Sequence, residues 1–183
     1  FGCLSQALPD RVPAEGAGTM WNPILRGGKS AVDPESAASG RFTRDFDSVL
    51  FNSGGTGGRP GLDGLSSTAF PSGVKTVPVE VIESITPTIV WRKELREGSG
   101  GAGEYRGGLG QVLELGVENE VAFTLAAVFE RTRFPAKGWS NGKPGAAGRV
   151  STVDGRELPS KGRQYIKPGE RVVSEGPTRT GRL

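Results

Sequence analysis

Gln111–Val117, QVLELGV, followed at once by residues 121–131, VAFTLAAVFER, decides how this chain folds. In the first run Val112, Leu113, Leu115 and Val117 are interleaved with polar residues. The second is a longer apolar run. Both read as strands, with Asn119 as turn material between them. Working outward, residues 149–158 carry Asp154-Gly155 between two short runs, a tight-hairpin signal, and Lys167-Pro168-Gly169 divides residues 164–166 from 171–175 as strand, turn, strand. Towards the N-terminus, residues 88–96 (TIVWRKELR), 47–51 (DSVLF) and 19–25, with Met20, Trp21 and Ile24, are further strand candidates, and residues 2–12 resemble the tail of a helix ended by Pro9 and Pro13. Residues 77–85 fit either a strand or a helix with Val77, Val81, Ile82 and Ile85 on one face; Pro78 favours the helix, since it would cost a strand a ladder bond. The expected fold is α+β and mainly β, with mixed sheets, long glycine-rich loops and few short helices.

The loops are unusual in composition. Residues 52–73, NSGGTGGRPGLDGLSSTAFPSG, hold seven glycines in 22 positions, and residues 98–110, GSGGAGEYRGGLG, hold seven in 13. Glycine loses more chain entropy on ordering than any other residue, so two such blocks need contacts to hold them. The first is expected to meet the second or a partner chain. Within it Asn52, Arg59, Asp63, Ser66, Ser67 and Thr68 alternate with glycine, and Phe70 and Pro71 stand at its far end. Amides opened by glycine beside a guanidinium and hydroxyls suit an anion. Asn52, Arg59, Asp63, Ser66 and Ser67, with Arg106 from the second block, are therefore the candidate substrate- or phosphate-binding residues. The alternative is structural, with Arg59 pairing with Asp63 to staple the loop and Tyr105 and Arg106 packing on it. Residues 135–148 form a third loop, and the Ser- and Ala-rich residues 29–40 read as an exposed one.

Counts narrow the function. The sequence has no histidine and one cysteine, Cys3, which excludes a Ser-His-Asp triad, a Cys-His pair, an imidazole metal ligand and an internal disulfide within the 183 residues. A net charge of +3 from 23 basic and 20 acidic residues, scattered along the chain, points away from nucleic acid. No stretch is long and apolar enough to span a bilayer as a helix, and the first residues lack a signal-peptide pattern. A cytoplasmic setting is expected.

Three blocks together, residues 51–83 (FNSGGTGGRPGLDGLSSTAFPSGVKTVPVEVIE), WRKELREGSGGAGEYRGGLGQ and NGKPGAAGRV, resemble the C-terminal part of hydantoinase B/oxoprolinase family proteins. That family includes the smaller subunit of ATP-dependent N-methylhydantoinases, the matching half of 5-oxoprolinase, and subunits of acetone and acetophenone carboxylases. The resemblance runs from about Ala7 to about Glu175 and implies that residues 1–183 are the C-terminal part of such a domain. It further implies ATP and a divalent metal in the complete enzyme, a hydantoinase A-like partner subunit or domain, and a small cyclic amide as substrate; the alternatives are a non-catalytic structural or assembly domain that docks a partner chain, and part of a ketone carboxylase subunit. The family's N-terminal portion, with its metal-binding His and Asp residues, is not matched here, so no metal is expected on this chain alone.

Overall fold

The computed structural model describes residues 2–16, 21–29, 31–32, 34, 38, 44–70, 73–118, 121–178 and 181. Met20, Pro71, Asn119 and most of the 29–40 loop lie outside the described residues. Eight strands are described: β1 (Ile24–Gly27), β2 (Phe46–Val49), β3 (Thr88–Leu95), β4 (Gln111–Val117), β5 (Phe123–Val128), β6 (Arg149–Thr152), β7 (Lys161–Ile166) and β8 (Val172–Glu175). With them are two short helices, α1 (Gly2–Ala7) and α2 (Val79–Ile85). The strands form two four-stranded sheets, ordered β2-β1-β5-β7 and β3-β4-β8-β6. The mainly β reading holds. Every described ladder is antiparallel, however, where mixed sheets were expected.

One core cluster joins the sheets: Leu25, Phe123, Leu125 and Ile166 from the first, Leu113, Leu115 and Val172 from the second, together with Trp21 and Phe129. β4 is buried along nearly its whole length rather than alternating: Leu113, Leu115 and Val117 join the core, and Trp91 lies over Gly116. The β3–β4 register slips between Val90 and Arg92, leaving Trp91 as the extra residue of a bulge. Its indole lies against Gly116, where an added Cβ would come within 3.2 Å of Trp91 Nε1, and the Arg171 guanidinium stacks 4.8 Å from its ring while reaching Glu114 at 2.6 Å.

Pro78 resolves the ambiguous segment in favour of the helix, standing at the N-cap of α2. Of the expected apolar face only Ile82 is buried; Val81 and Ile85 are exposed. The 154–155 turn forms, but its return arm pairs only through a Ser151–Glu157 bridge. Residues 167–170 do separate two strands, and β7 and β8 then enter different sheets.

Candidate functional site

β2 carries the chain into the first glycine block, and the ladder continues irregularly there: Leu50 donates to Pro23 O at 3.1 Å, Trp21 to Asn52 O at 3.1 Å, and Asn52 N–H to Asn22 Oδ1 at 3.3 Å. From that anchor the two glycine blocks close on each other as a clasp. Gly108 N–H donates to Thr56 O at 2.9 Å, Gly64 N–H to Arg106 O at 2.7 Å, and Ser67 N–H to Leu109 O at 2.9 Å. Side chains complete it: Asp63 Oδ1 accepts from Arg106 N–H at 2.7 Å and Ser66 Oγ from Leu109 N–H at 3.0 Å. Thr56 closes the first block on itself, its N–H donating to Leu65 O and its Oγ1 accepting from Leu65 N–H, both at 2.7 Å. The backbones touch so closely that a Cβ on Gly55 would lie 2.2 Å from Gly108 O, and one on Gly108 2.1 Å from Leu65 O. Only glycine permits this approach.

The expected contact between the blocks is therefore present, and both lie outside the named helices and strands. The candidate residues divide. Asp63, Ser66, Ser67 and Arg106 come together in the clasp. Arg59 sits at its edge, half-buried, its Nε donating to the Asp63 carbonyl oxygen at 2.8 Å, so the staple runs to the backbone and not to the carboxylate. Asn52 stands apart, 1% exposed, and among the described residues neither atom of its carboxamide has a hydrogen-bond partner; its Nδ2 is 4.0 Å from where a Gly176 Cβ would stand. Many of the amides suited to an anion donate within the clasp instead. Sequence reading passed over Thr56, although a lone hydroxyl between four glycines was the available signal.

The clasp is braced from two sides. Ala14 N–H donates to Gly58 O at 2.9 Å, and Lys143 N–H to Ala102 O at 2.7 Å. The first brace continues through Glu15, which accepts from Arg131 Nη2 at 2.6 Å and Lys137 N–H at 2.9 Å. Partial burial raises the Glu15 pKa, but these bonds and the Arg131 charge outweigh it and hold it below the usual 4.5. A carboxyl with a depressed folded pKa contributes stability that is complete above the unfolded value and lost as pH falls through the folded one. The stability gap between wild type and Glu15→Gln is thus expected to be widest at neutral pH and to narrow below about pH 4.5. Urea unfolding across that range checks it, and a gap independent of pH would refute it.

For a metal the donor set does not fit. The sequence lacks histidine, and among the described residues no three of Asp, Glu or Cys converge on one point. No helix among the described residues is long and apolar enough to cross a membrane.

The family model Hydantoinase B/oxoprolinase matches residues 1–181. An uncharacterized protein of Methanocaldococcus jannaschii is 32% identical over 180 residues, covering 97% of this chain and 29% of its own length. Caprolactamase subunit beta of Pseudomonas jessenii is 28% identical over 187 residues, covering 95% of this chain and 30% of the relative. The crystal structure of the ATP-dependent caprolactamase from that organism superposes with a TM-score of 0.69 at 25% identity, over 98% of this chain and 31% of the other. The chain thus spans less than a third of the length of each of these relatives.

Proposed function

Since this chain belongs to the hydantoinase B/oxoprolinase family, we propose that it forms the C-terminal part of an ATP-dependent enzyme that opens small cyclic amides together with a hydantoinase A-like subunit or domain. The observation that carries this reading is the likeness to caprolactamase along nearly the whole chain, in sequence and in fold. ATP and a divalent metal belong to the complete enzyme, held by residues outside these 183. The part played by this chain is positional: the clasp fixes a rigid wall beside the reacting amide, with Arg59, Asp63, Ser66, Ser67 and Arg106 on it and Asn52 beneath. Arg59 and Arg106 are the cations that wall offers to an anionic, phosphorylated intermediate or to the partner surface.

The test is turnover by the complete enzyme assembled with its hydantoinase A-like partner. ADP release and ring-opened acid should appear in step with 5-oxoproline, hydantoin or caprolactam, and the 183-residue chain alone should give none. ADP release that no cyclic amide stimulates, or that follows a ketone and bicarbonate instead, would overturn the assignment. In the same assay Arg59→Ala is expected to lower turnover or assembly by about 1.5–3 kcal/mol, the range for a hydrogen bond to a charged group. Arg59→Lys should restore little, since it keeps the charge without the planar fork. Unchanged turnover and partner binding in Arg59→Ala would leave the clasp as a passive connection.

A further inference from the structure

Past β5 the chain leaves the first sheet and walls two adjoining clefts. One, of about 810 Å³, is bounded by residues 129–134 and 159–161. The other, of about 590 Å³, shares Thr132, Arg133 and Ser160 with it and extends to Arg96, residues 147–150, Glu157 and Leu158. The wall they share is firmly fixed. Phe129 N–H donates to Ser160 O at 2.9 Å, Trp21 Nε1 donates to Glu130 O at 2.9 Å, and Gly148 N–H donates to Arg131 O at 3.0 Å. Between these fixed points Arg131 holds a left-handed backbone at φ 60°, a conformation strained for a non-glycine residue. Such strain persists where the surroundings over-determine it, and it collects at ligand sites. Here it turns the chain so that residues 132–134 face the clefts.

The charges are unevenly matched. The two clefts are lined by five cations (Arg96, Arg131, Arg133, Arg149, Lys161) and two carboxylates (Glu130, Glu157). Four of the cations have an acid of their own: Arg131 has Glu15 at 2.6 Å, Arg149 has Glu157 at 3.1 Å, Arg96 has Glu175 at 3.9 Å, and Lys161 has Glu130. The fifth, Arg133, is exposed, and none of the described residues pairs with its guanidinium. It stands at the seam of the two clefts beside the Thr132 and Ser160 hydroxyls, which are 3.3 Å apart and bonded to each other. Phe134, 79% exposed, adds an apolar face to the larger cleft. The smaller one meets the clasp through Arg96, whose N–H donates to Gly110 O at 2.9 Å and whose Nη1 donates to Ala147 O at 2.7 Å.

We propose that this double cleft binds a small oxyanion, a carboxylate or phosphate carried on a partly apolar molecule. Arg133 grips the oxyanion with its planar fork, Ser160 donates its hydroxyl to it while accepting from Thr132, and Phe134 lies against the apolar part. The site is distinct from the clasp residues, and its occupancy is measured without turnover, so it stands or falls separately from the cyclic-amide reading.

Calorimetric titration of the 183-residue chain with hexanoate, acetate and inorganic phosphate tests it. Hexanoate is expected to bind more tightly than acetate, with an affinity that falls as salt is raised. Arg133→Ala should weaken binding about tenfold or more, the equivalent of one charged hydrogen bond, and Arg133→Lys should fall between. Ser160→Ala should weaken it a few-fold, and Arg156→Ala, which removes a cation paired with Glu170 elsewhere, should leave it unchanged. Arg133-dependent binding of phosphate in place of the carboxylates also supports the oxyanion site and assigns the phosphate class. Binding of none of the three, or equal affinity in wild type and Arg133→Ala at matched unfolding midpoints, overturns the proposal.

Discussion

Replacing Phe129 by alanine is expected to lower the unfolding free energy by about 3–5 kcal/mol, the usual range for deleting a large aromatic side chain from a core. Phe129 has no exposed surface, and its ring stacks on Trp21 with centroids 4.4 Å apart and planes 14° from parallel. The pair lies where Leu25 and Leu125 of one sheet meet Leu113 and Leu115 of the other, so neighbours on both sides are tied to hydrogen-bonded strands and collapse into the gap poorly. Trp21 is itself pinned, because Gly148 passes so close that a Cβ there would fall 2.0 Å from Trp21 Cζ2. Chemical denaturation with an unchanged m-value measures the loss. A penalty under about 1 kcal/mol would show that the ring is not the keystone of the core. Phe129→Leu, which retains most of the volume, is expected to cost roughly half as much.

Gly108→Ala is expected to destabilise by about 3 kcal/mol or more, at the upper end for overpacking. The added methyl would fall 2.1 Å from Leu65 O, 2.5 Å from Leu65 C and 3.0 Å from Ser66 N. All three are backbone atoms, so no side-chain rotation relieves the clash. The blocks must separate, and the bond from Gly108 N–H to Thr56 O is lost with the approach. Gly61→Ala is the matched comparison: Gly61 has φ 74° and nothing within 4 Å of its added Cβ, so only the left-handed conformation is penalised, by about 1–2 kcal/mol. Limited proteolysis should open residues 52–73 in Gly108→Ala and leave them protected in Gly61→Ala. Equal protection in both variants would refute the clasp as the element that orders these loops.

Local signals carried the sequence reading well where one residue decides a local geometry. Pro78 settled the helix, and the period and turn residues located β3 and β4 within a residue and β5 within three. The glycine blocks announced their own need for contact. What the sequence did not reveal rests on distant pairings. β7 and β8 look like a hairpin because only a short turn separates them, yet their apolar positions complete two different sheets. β4 looked half-exposed because nothing along the chain says that a bulge 20 residues earlier sets Trp91 over Gly116. At the candidate site residue types alone suggested an Arg59–Asp63 ion pair, whereas both side chains cap backbone groups. Arg133 was overlooked because its distinction is electrostatic: its neighbours are neutralised by Glu15, Glu130, Glu157 and Glu175, and of those only Glu130 is close to it in sequence.

From β5 onwards the chain alternates between sheets strand by strand, and β8, made last, lies in the interior of its sheet between β4 and β6. On a translating ribosome, β4 and β6 have no common neighbour until residues 172–175 have emerged from the exit tunnel, so the second sheet is assembled after synthesis of this region and not during it. Until then the edge of β4 that β8 will cover keeps unpaired backbone groups, a template on which a strand of another chain could add in place of residues 172–175.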